Sequence, residues 1–369
     1  MGARQHFAMW LAAAMAAGLL ASPAWAKDTV EAKRDAILHY LQQLPGQKKT
    51  LTGVQVNEYE VYIDCTSADR LFAQTGKRTA LIGLELMNAI AYPPYPSYLV
   101  DRAVTQTMKG GLVTMSWHER NPVEVCQRGE YYECTKKAMN AATLHAVLTN
   151  GTPEHKLWLK DVDAMARTLR ELRDRGVVVL FRPYHEMNGG WFWWGKQVEF
   201  PQLWDALYDE LAVRQKLDNL IWVWSPDREA PDAKNFFPIR HKPDIVGTDM
   251  YENDPNTPKY ALAHANLTAA GGTAPFAITE TGLAPGAQVL DQTNPAWVLL
   301  WGDMINVNWT WNGDCPMCNK PEQIDTFFKI DRLVNLDGIA PALRQTISAG
   351  VTNPHPLHKP NPYCPAKLR

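Results

Sequence analysis

The chain has 369 residues, with 37 Lys and Arg against 39 Asp and Glu, a formal net charge of −2 and 46% hydrophobic residues. No basic run or acidic tail gives it an electrostatic footprint for nucleic acid or an anionic membrane. Its 14 tryptophans suit a neutral partner with flat apolar faces, as pyranose rings have.

Residues 1–26 read as a secretory signal peptide: Arg4 supplies the positive end, residues 9–20 the apolar stretch, and Ala24-Trp25-Ala26 a small-x-small cleavage site. The apolar run is shorter than the roughly 20 residues of a spanning helix, and no cysteine follows the cleavage point to take a lipid. Cleavage near Ala26 leaves about 340 residues, within reach of one α/β barrel domain over 27–369, and sends it to the periplasm or outside the cell. All 6 cysteines lie in that part, as expected for disulfides in an oxidising compartment. Cys126 and Cys134 flank a short loop and are the easiest pair to close. Cys315 and Cys318 form a Cys-x-x-Cys run with neither a thioredoxin-like βαβ nor a second Cys/His pair nearby, which argues against redox or zinc chemistry. Cys65 and Cys364 remain, and spacing does not fix the connectivity.

Short apolar runs alternate with amphipathic stretches along the chain. Strands are predicted at 51–56, 80–84, 112–117, 177–182, 220–224, 245–249, 276–279 and 297–300, and helices at 97–109, 157–175, 201–217, 259–270 and 321–334. Parallel neighbours need crossover connections, so this alternation implies a parallel sheet, and eight strands are the number that closes a (β/α)8 TIM barrel. An open doubly wound sheet would carry a glycine-rich loop after its first strand; Gln55-Val56-Asn57-Glu58 is no such loop. A Pro-rich tail begins near residue 350 and is expected to wrap the surface, pinned by Cys364.

A barrel of this kind places reacting groups at the C-terminal ends of its strands. Those positions hold Glu85, His118, Glu119, Arg182, His185, Glu186, Trp224, Tyr251, Glu252, Glu280 and Trp301, with no activated serine or cysteine and no Gly-x-Ser-x-Gly elbow. A zinc-protease reading of His118-Glu119 or His185-Glu186 fails, because Pro122 and Gly189 stand where the second histidine is required. No metal or cofactor is expected. Glycosidic cleavage needs two carboxyl groups, about 5–5.5 Å apart for a retaining reaction. Glu186 and Glu280, at the ends of strands four and seven, can face each other across one pocket. Glu186 precedes Trp191, Phe192, Trp193 and Trp194, an apolar setting that suits a general acid. Glu280 lies between Thr279 and Thr281, whose hydroxyls are expected to keep it ionised as nucleophile. Glu119 and Glu252 are weaker rivals, since His118 and Tyr251 are expected to be the inward-pointing neighbours.

These residues resemble glycoside hydrolase family 26, best known for endo-β-1,4-mannanases. The resemblance rests on Trp117-His118 with Asn121-Pro122, on Arg182-Pro183-Tyr184-His185-Glu186-Met187-Asn188-Gly189, on Trp191-Phe192-Trp193-Trp194-Gly195, on Trp222-Val223-Trp224-Ser225-Pro226, on 244–251 and on Glu280-Thr281-Gly282. It implies a retaining double displacement on β-mannan or manno-oligosaccharides, with Glu186 as acid/base and Glu280 as nucleophile; a monomer is expected. His118, Arg182, His185, Trp191, Trp224, Tyr251 and Trp301 are the implied substrate-binding side chains, with Tyr251 orienting the nucleophile and Trp301 forming a floor under the reacting sugar. Many relatives carry an arginine beside that tryptophan, where this chain has Gly302 and Asp303. β-1,3-Xylan and mixed-linkage β-glucan are the alternative substrates within the family, and a noncatalytic carbohydrate-binding barrel the alternative outside enzymes. Three Asn-x-Thr triplets, at 150–152, 266–268 and 308–310, fit the N-glycan pattern.

Overall fold

The computed structural model describes residues 29–90, 92–307, 314–353, 356–358 and 364. Residues 1–26, read above as a signal peptide, the triplet at 308–310 and parts of the tail lie outside them. Strands β1 (Thr50–Gln55), β2 (Leu81–Glu85), β3 (Leu112–Trp117), β4 (Val179–Pro183), β5 (Leu220–Trp224), β6 (Ile245–Met250), β7 (Phe276–Thr281) and β8 (Trp297–Leu300) are all parallel. β1 pairs with β2 on one side and with β8 on the other, so the sheet closes. The fold is a (β/α)8 barrel. Every residue of these eight strands is buried, which is why they read as near-continuous apolar runs rather than as alternating ones.

Two apolar clusters hold the barrel. One lies between strands and outer helices, where Pro153–Asp174 buries Trp158, Val162, Met165, Leu169 and Leu172 against the sheet. That helix starts where Thr152 caps it, its hydroxyl accepting from the His155 N–H, with proline in the first turn. The second cluster gathers Leu51, Leu81, Leu112, Leu180, Ile221, Ala277 and Leu299 with Ile37 and Leu41 of helix Val30–Gln43. These strand residues lie in the N-terminal and middle parts of their strands, so the helix plugs the barrel's lower end and leaves the upper end for polar groups.

Two predicted helices differ from the structure. The one expected at 201–217 is α-helical over Phe200–Tyr208 and continues as a π-helix over Asp209–Arg214, with Gln215 N–H reaching back five residues to the Glu210 carbonyl at 3.0 Å. The one expected at 321–334 ends at Phe327, and Leu333–Val334 forms a ninth short strand. That strand pairs with Thr50 and Leu51, residues of β1 that precede its first pairing with β2 at Gly53 and so leave an open edge.

Disulfides join Cys65 to Cys364, Cys126 to Cys134 and Cys315 to Cys318. The tail is held by Asp101 as well: its carboxylate accepts from Asn353, from the Leu357 N–H and from His358 at 2.5–3.0 Å. No helix among the described residues is long and apolar enough to cross a membrane. Leu41, with no exposed surface, is central to the lower plug. Leu41→Ala is expected to cost about 2–4 kcal/mol, read as a lower urea midpoint at unchanged slope.

Candidate active site

Arg182, at the upper end of β4, projects into the barrel and is only 2% exposed. Its Nη1 donates to Asp249 Oδ2 at 2.8 Å and its Nη2 donates to Glu280 Oε1. Tyr251 donates its phenolic hydrogen to the other Glu280 oxygen at 2.8 Å. Asp249 is itself cradled: the Ser225 and Thr279 hydroxyls both donate to its Oδ1 at 2.7 Å. Burial opposes the Arg182 charge, but Asp249 and Glu280 outweigh burial and raise the guanidinium pKa further. Burial and the nearby Glu280 charge push Asp249 up to about 7 against the pull of Arg182. A guanidinium and a phenol are partners that suit a carboxylate at Glu280.

This geometry revises two expectations. Thr279 and Thr281 do not serve Glu280: Thr279 bonds Asp249, and the Thr281 hydroxyl donates to the Leu283 carbonyl. Arg182, expected at the substrate, instead pairs with the carboxylates of Asp249 and Glu280, because a buried guanidinium must satisfy its charge locally. His185, Asp249 and Glu280 bring ligand atoms within 4.8 Å of one another, a spacing that could hold a cation. The Arg182 charge already sits on both carboxylates, so that set does not fit a resident metal.

Glu186 sits on a sharp turn. Tyr184 and Glu186 have φ of 50° and 55°, left-handed values that cost a non-glycine residue of order 1–3 kcal/mol each. Neighbouring bonds hold the turn open: Glu186 N–H donates to the Ser225 carbonyl at 2.7 Å, and Gly189 N–H closes back on the Glu186 carbonyl at 2.8 Å. Asn188 ties the loop to the one after β5, donating to the Asp227 carbonyl at 2.9 Å and accepting its N–H at 2.7 Å. Trp191, 39% exposed, donates its indole N–H to Glu186 Oε2 at 2.7 Å. Its ring lies so close to Gly189 that an added Cβ there would come within 2.4 Å. Burial first, then the charges of Asp249 and Glu280, push the Glu186 carboxyl well above the ordinary range.

His118 and His185 meet edge to face with ring centroids 4.3 Å apart. Glu85 holds His118 twice, accepting from its backbone N–H at 2.9 Å and sharing a 2.7 Å bond with Nδ1. Burial alone would strip the His118 proton, but the Glu85 carboxylate prevails and raises the imidazole pKa. Burial and the Arg182 charge hold His185 well below its usual value, so it is neutral, and its buried Nδ1 has no partner among the described residues. Neutral His185 can therefore exchange a hydrogen bond with a ligand.

The other aromatics divide. Trp301 remains partly exposed at the rim. Trp193 and Trp194 are buried, and their indole N–H groups donate to the Glu119 and His185 carbonyls at 2.9 and 2.8 Å. Trp224, expected to bind substrate, has no exposed surface and packs against Phe237 in the outer cluster, because the inward direction falls to the next residue, Ser225, just past the end of β5. Of the rival acids, Glu252 is paired with Arg228 and Lys259 at the rim, and Glu119 faces the outer layer beside Tyr184. Asp249 is the functional position that sequence reasoning passed over, and Glu85, though counted among the strand-end residues, was given no role. Both stand at strand ends, the signal that could have singled them out.

Beside His118, Glu58, Tyr59, Tyr62, Tyr92, Tyr131 and Tyr132 line a cleft of about 270 Å³, and the Tyr132 ring lies 5.6 Å from His118. The Tyr59 hydroxyl donates to Asp303, linking the loop after β1 to the residues that follow Trp301.

Residues 26–315 match the family described as glycosyl hydrolase family 26. A mannan endo-1,4-beta-mannosidase of Thermothelomyces thermophilus is 32% identical over 328 residues, covering 84% of this chain and 62% of that protein. The chain thus spans less than two thirds of that relative's length. Among solved structures, GH26A from Muricauda sp. superposes with a TM-score of 0.72 at 28% identity, covering 84% of this chain and 97% of that one. The Podospora anserina GH26-CBM35 beta-(1,4)-mannanase gives 0.69 at 30% identity, with 84% and 67% covered.

A raised carboxyl pKa means that the folded chain keeps a proton the unfolded chain releases. The stability Glu186 contributes is therefore present below the ordinary carboxyl range, about 4.3, and is lost as pH climbs toward the raised value. Glu186→Gln removes that loss. Its thermal midpoint relative to the parent is expected to climb by about 1–3 °C between pH 4 and pH 8 in scanning calorimetry; a difference flat in pH would contradict the raised value.

Proposed function

Because the chain belongs to glycosyl hydrolase family 26, we propose that it is an exported, retaining endo-β-1,4-mannanase in which Glu280 is the nucleophile and Glu186 the acid/base. The observation that carries the role assignment is the contrast between the two carboxyls. Glu280 accepts from Arg182 and Tyr251, whereas Glu186 accepts, among the described residues, from Trp191 and is pushed toward its protonated form. One acid is thus presented as a base-like oxygen and the other as a proton donor. The relatives' names support mannan as the polymer, and the tryptophan-rich rim supports a carbohydrate ligand.

In the first step a Glu280 oxygen bonds to the anomeric carbon as the glycosidic bond breaks, and Glu186 gives its proton to the departing oxygen. Arg182 and Tyr251 hold the attacking carboxylate in line and release charge from it as the covalent bond forms. The glycosyl-enzyme and a Glu186 carboxylate result. Glu186 then takes a proton from water, whose oxygen attacks the same carbon and frees Glu280. In this reading His185 and Trp301 touch the reacting sugar, and the tyrosine cleft beside His118 takes a neighbouring unit of the polymer. Gly302 and Asp303 follow Trp301 where many relatives carry an arginine, and Asp303 is bonded to Tyr59. No metal or cofactor enters this scheme.

Reducing-end release from galactomannan, β-1,3-xylan and mixed-linkage glucan tests the substrate; activity on mannan is expected to dominate, and none on any polymer would leave a binding barrel. Glu280→Ala is expected to lose at least about 10⁴-fold on every substrate. Glu186→Ala is expected to lose about 10²–10⁴-fold on polymer while sparing aryl mannosides whose leaving groups need little protonation. Proton NMR of the first-formed sugar should show the β-anomer; the α-anomer first would exclude double displacement.

A further inference from the structure

Behind the turn that carries Glu186 lies a buried acid with no part in the scheme above. Glu119 follows His118 beyond the end of β3 but faces the other way, into the layer between barrel and helices, and has no exposed surface. Its Oε2 accepts from the Tyr184 hydroxyl at 2.5 Å. That hydroxyl accepts in turn from Trp158 Nε1, on helix Pro153–Asp174, at 3.0 Å. The Glu119 backbone carbonyl accepts from Trp193 Nε1 at 2.9 Å. The other carboxyl oxygen, Oε1, has no partner among the described residues.

A buried acid kept for stability would be expected to have its oxygens satisfied and a cation against it. The nearby cation, Arg120, is instead paired with Asp161 through two bonds of 2.7 and 2.8 Å. Burial, with the Asp161 charge added, pushes the Glu119 carboxyl well up, so it stands there as a neutral acid. What distinguishes it is where its two bonds go. Tyr184 and Trp193 bracket the loop that carries Glu186, and Tyr184 lies two residues before Glu186 in the left-handed conformation that aims the turn.

We infer that Glu119 is a positioning residue for Glu186, pinning both ends of the loop through Tyr184 and Trp193 and so setting the direction in which the Glu186 carboxyl presents its proton. The inference rests on the reading of Glu186 as the acid. It predicts a defect confined to the step that needs the proton. A loss of general stability would instead reduce all substrates alike.

The test uses the full enzyme, with kcat/KM measured on mannan and on a dinitrophenyl β-mannobioside, whose leaving group departs without protonation. Glu119→Leu removes the acceptor, Tyr184→Phe removes only the hydroxyl, and Glu119→Gln keeps a neutral acceptor of the same size. Glu119→Leu and Tyr184→Phe are expected to lose about 10–100-fold on mannan and less than about threefold on the aryl substrate, and Glu119→Gln to recover most of the loss. Tyr184→Phe carries the test if the leucine variant fails to fold. Equal losses on both substrates, or no loss on mannan, overturn the inference. Glu186→Ala is run alongside: if it too loses both substrates equally, the acid assignment itself has failed and the inference falls with it.

Discussion

The guanidinium of Arg182 is the constraint around which the upper barrel is arranged. Three acids, Glu186, Asp249 and Glu280, crowd one low-dielectric space, and without a fixed cation their mutual repulsion would drive them apart or protonate them. Arg182 joins β4 to both β6 and β7 through Asp249 and Glu280. It therefore aligns the strands and sets the charge of the site together. The Ser225 and Thr279 hydroxyls finish the job on Asp249, so the cation's position is over-determined from below. Lysine could not substitute, since a single ammonium lacks the planar fork that reaches two carboxylates on different strands.

That anchoring makes the strain above it tolerable. The turn 184–186 departs from ordinary backbone geometry twice, and each departure is matched by a bond to a neighbouring loop. The aromatic segment has a different role from the one its composition suggests. Trp193 and Trp194 lie beneath the turn and hold carbonyls, with Phe192 stacked on Trp194 at 4.5 Å. Trp191 alone of that segment turns its indole to the acid. A run of rings thus supplies one ligand-facing group and the packed base that fixes it.

Much of this was legible in the chain. The eight strand positions emerged because fully buried parallel strands are apolar without interruption, a pattern that survives reading in one dimension. Glu186 and Glu280 stood out because each directly follows or ends such a run. Legibility failed wherever a side chain's direction decided the matter. Trp224 and Ser225 are adjacent, and one residue of phase separates a packed ring from an inward hydroxyl. Arg182 looked like a ligand for substrate because charge at a strand end is visible, whereas the carboxylates that claim it come from strands 67 and 98 residues away. The ninth strand could not be foreseen either, since it depends on an open edge of β1 that exists only once the barrel closes.

The Cys65–Cys364 link spans 299 residues, and the closing ladder between β1 and β8 joins Leu51 to Trp297. Both seals join an early segment of the chain to a late one. A polypeptide emerging amino end first has almost its whole length exposed before either can form. Oxidation at Cys65 must therefore wait for Cys364 to arrive, by which point every strand of the barrel has been made. The link thus fastens a barrel whose strands are already complete and ties the loop after β1 to the tail that wraps over it.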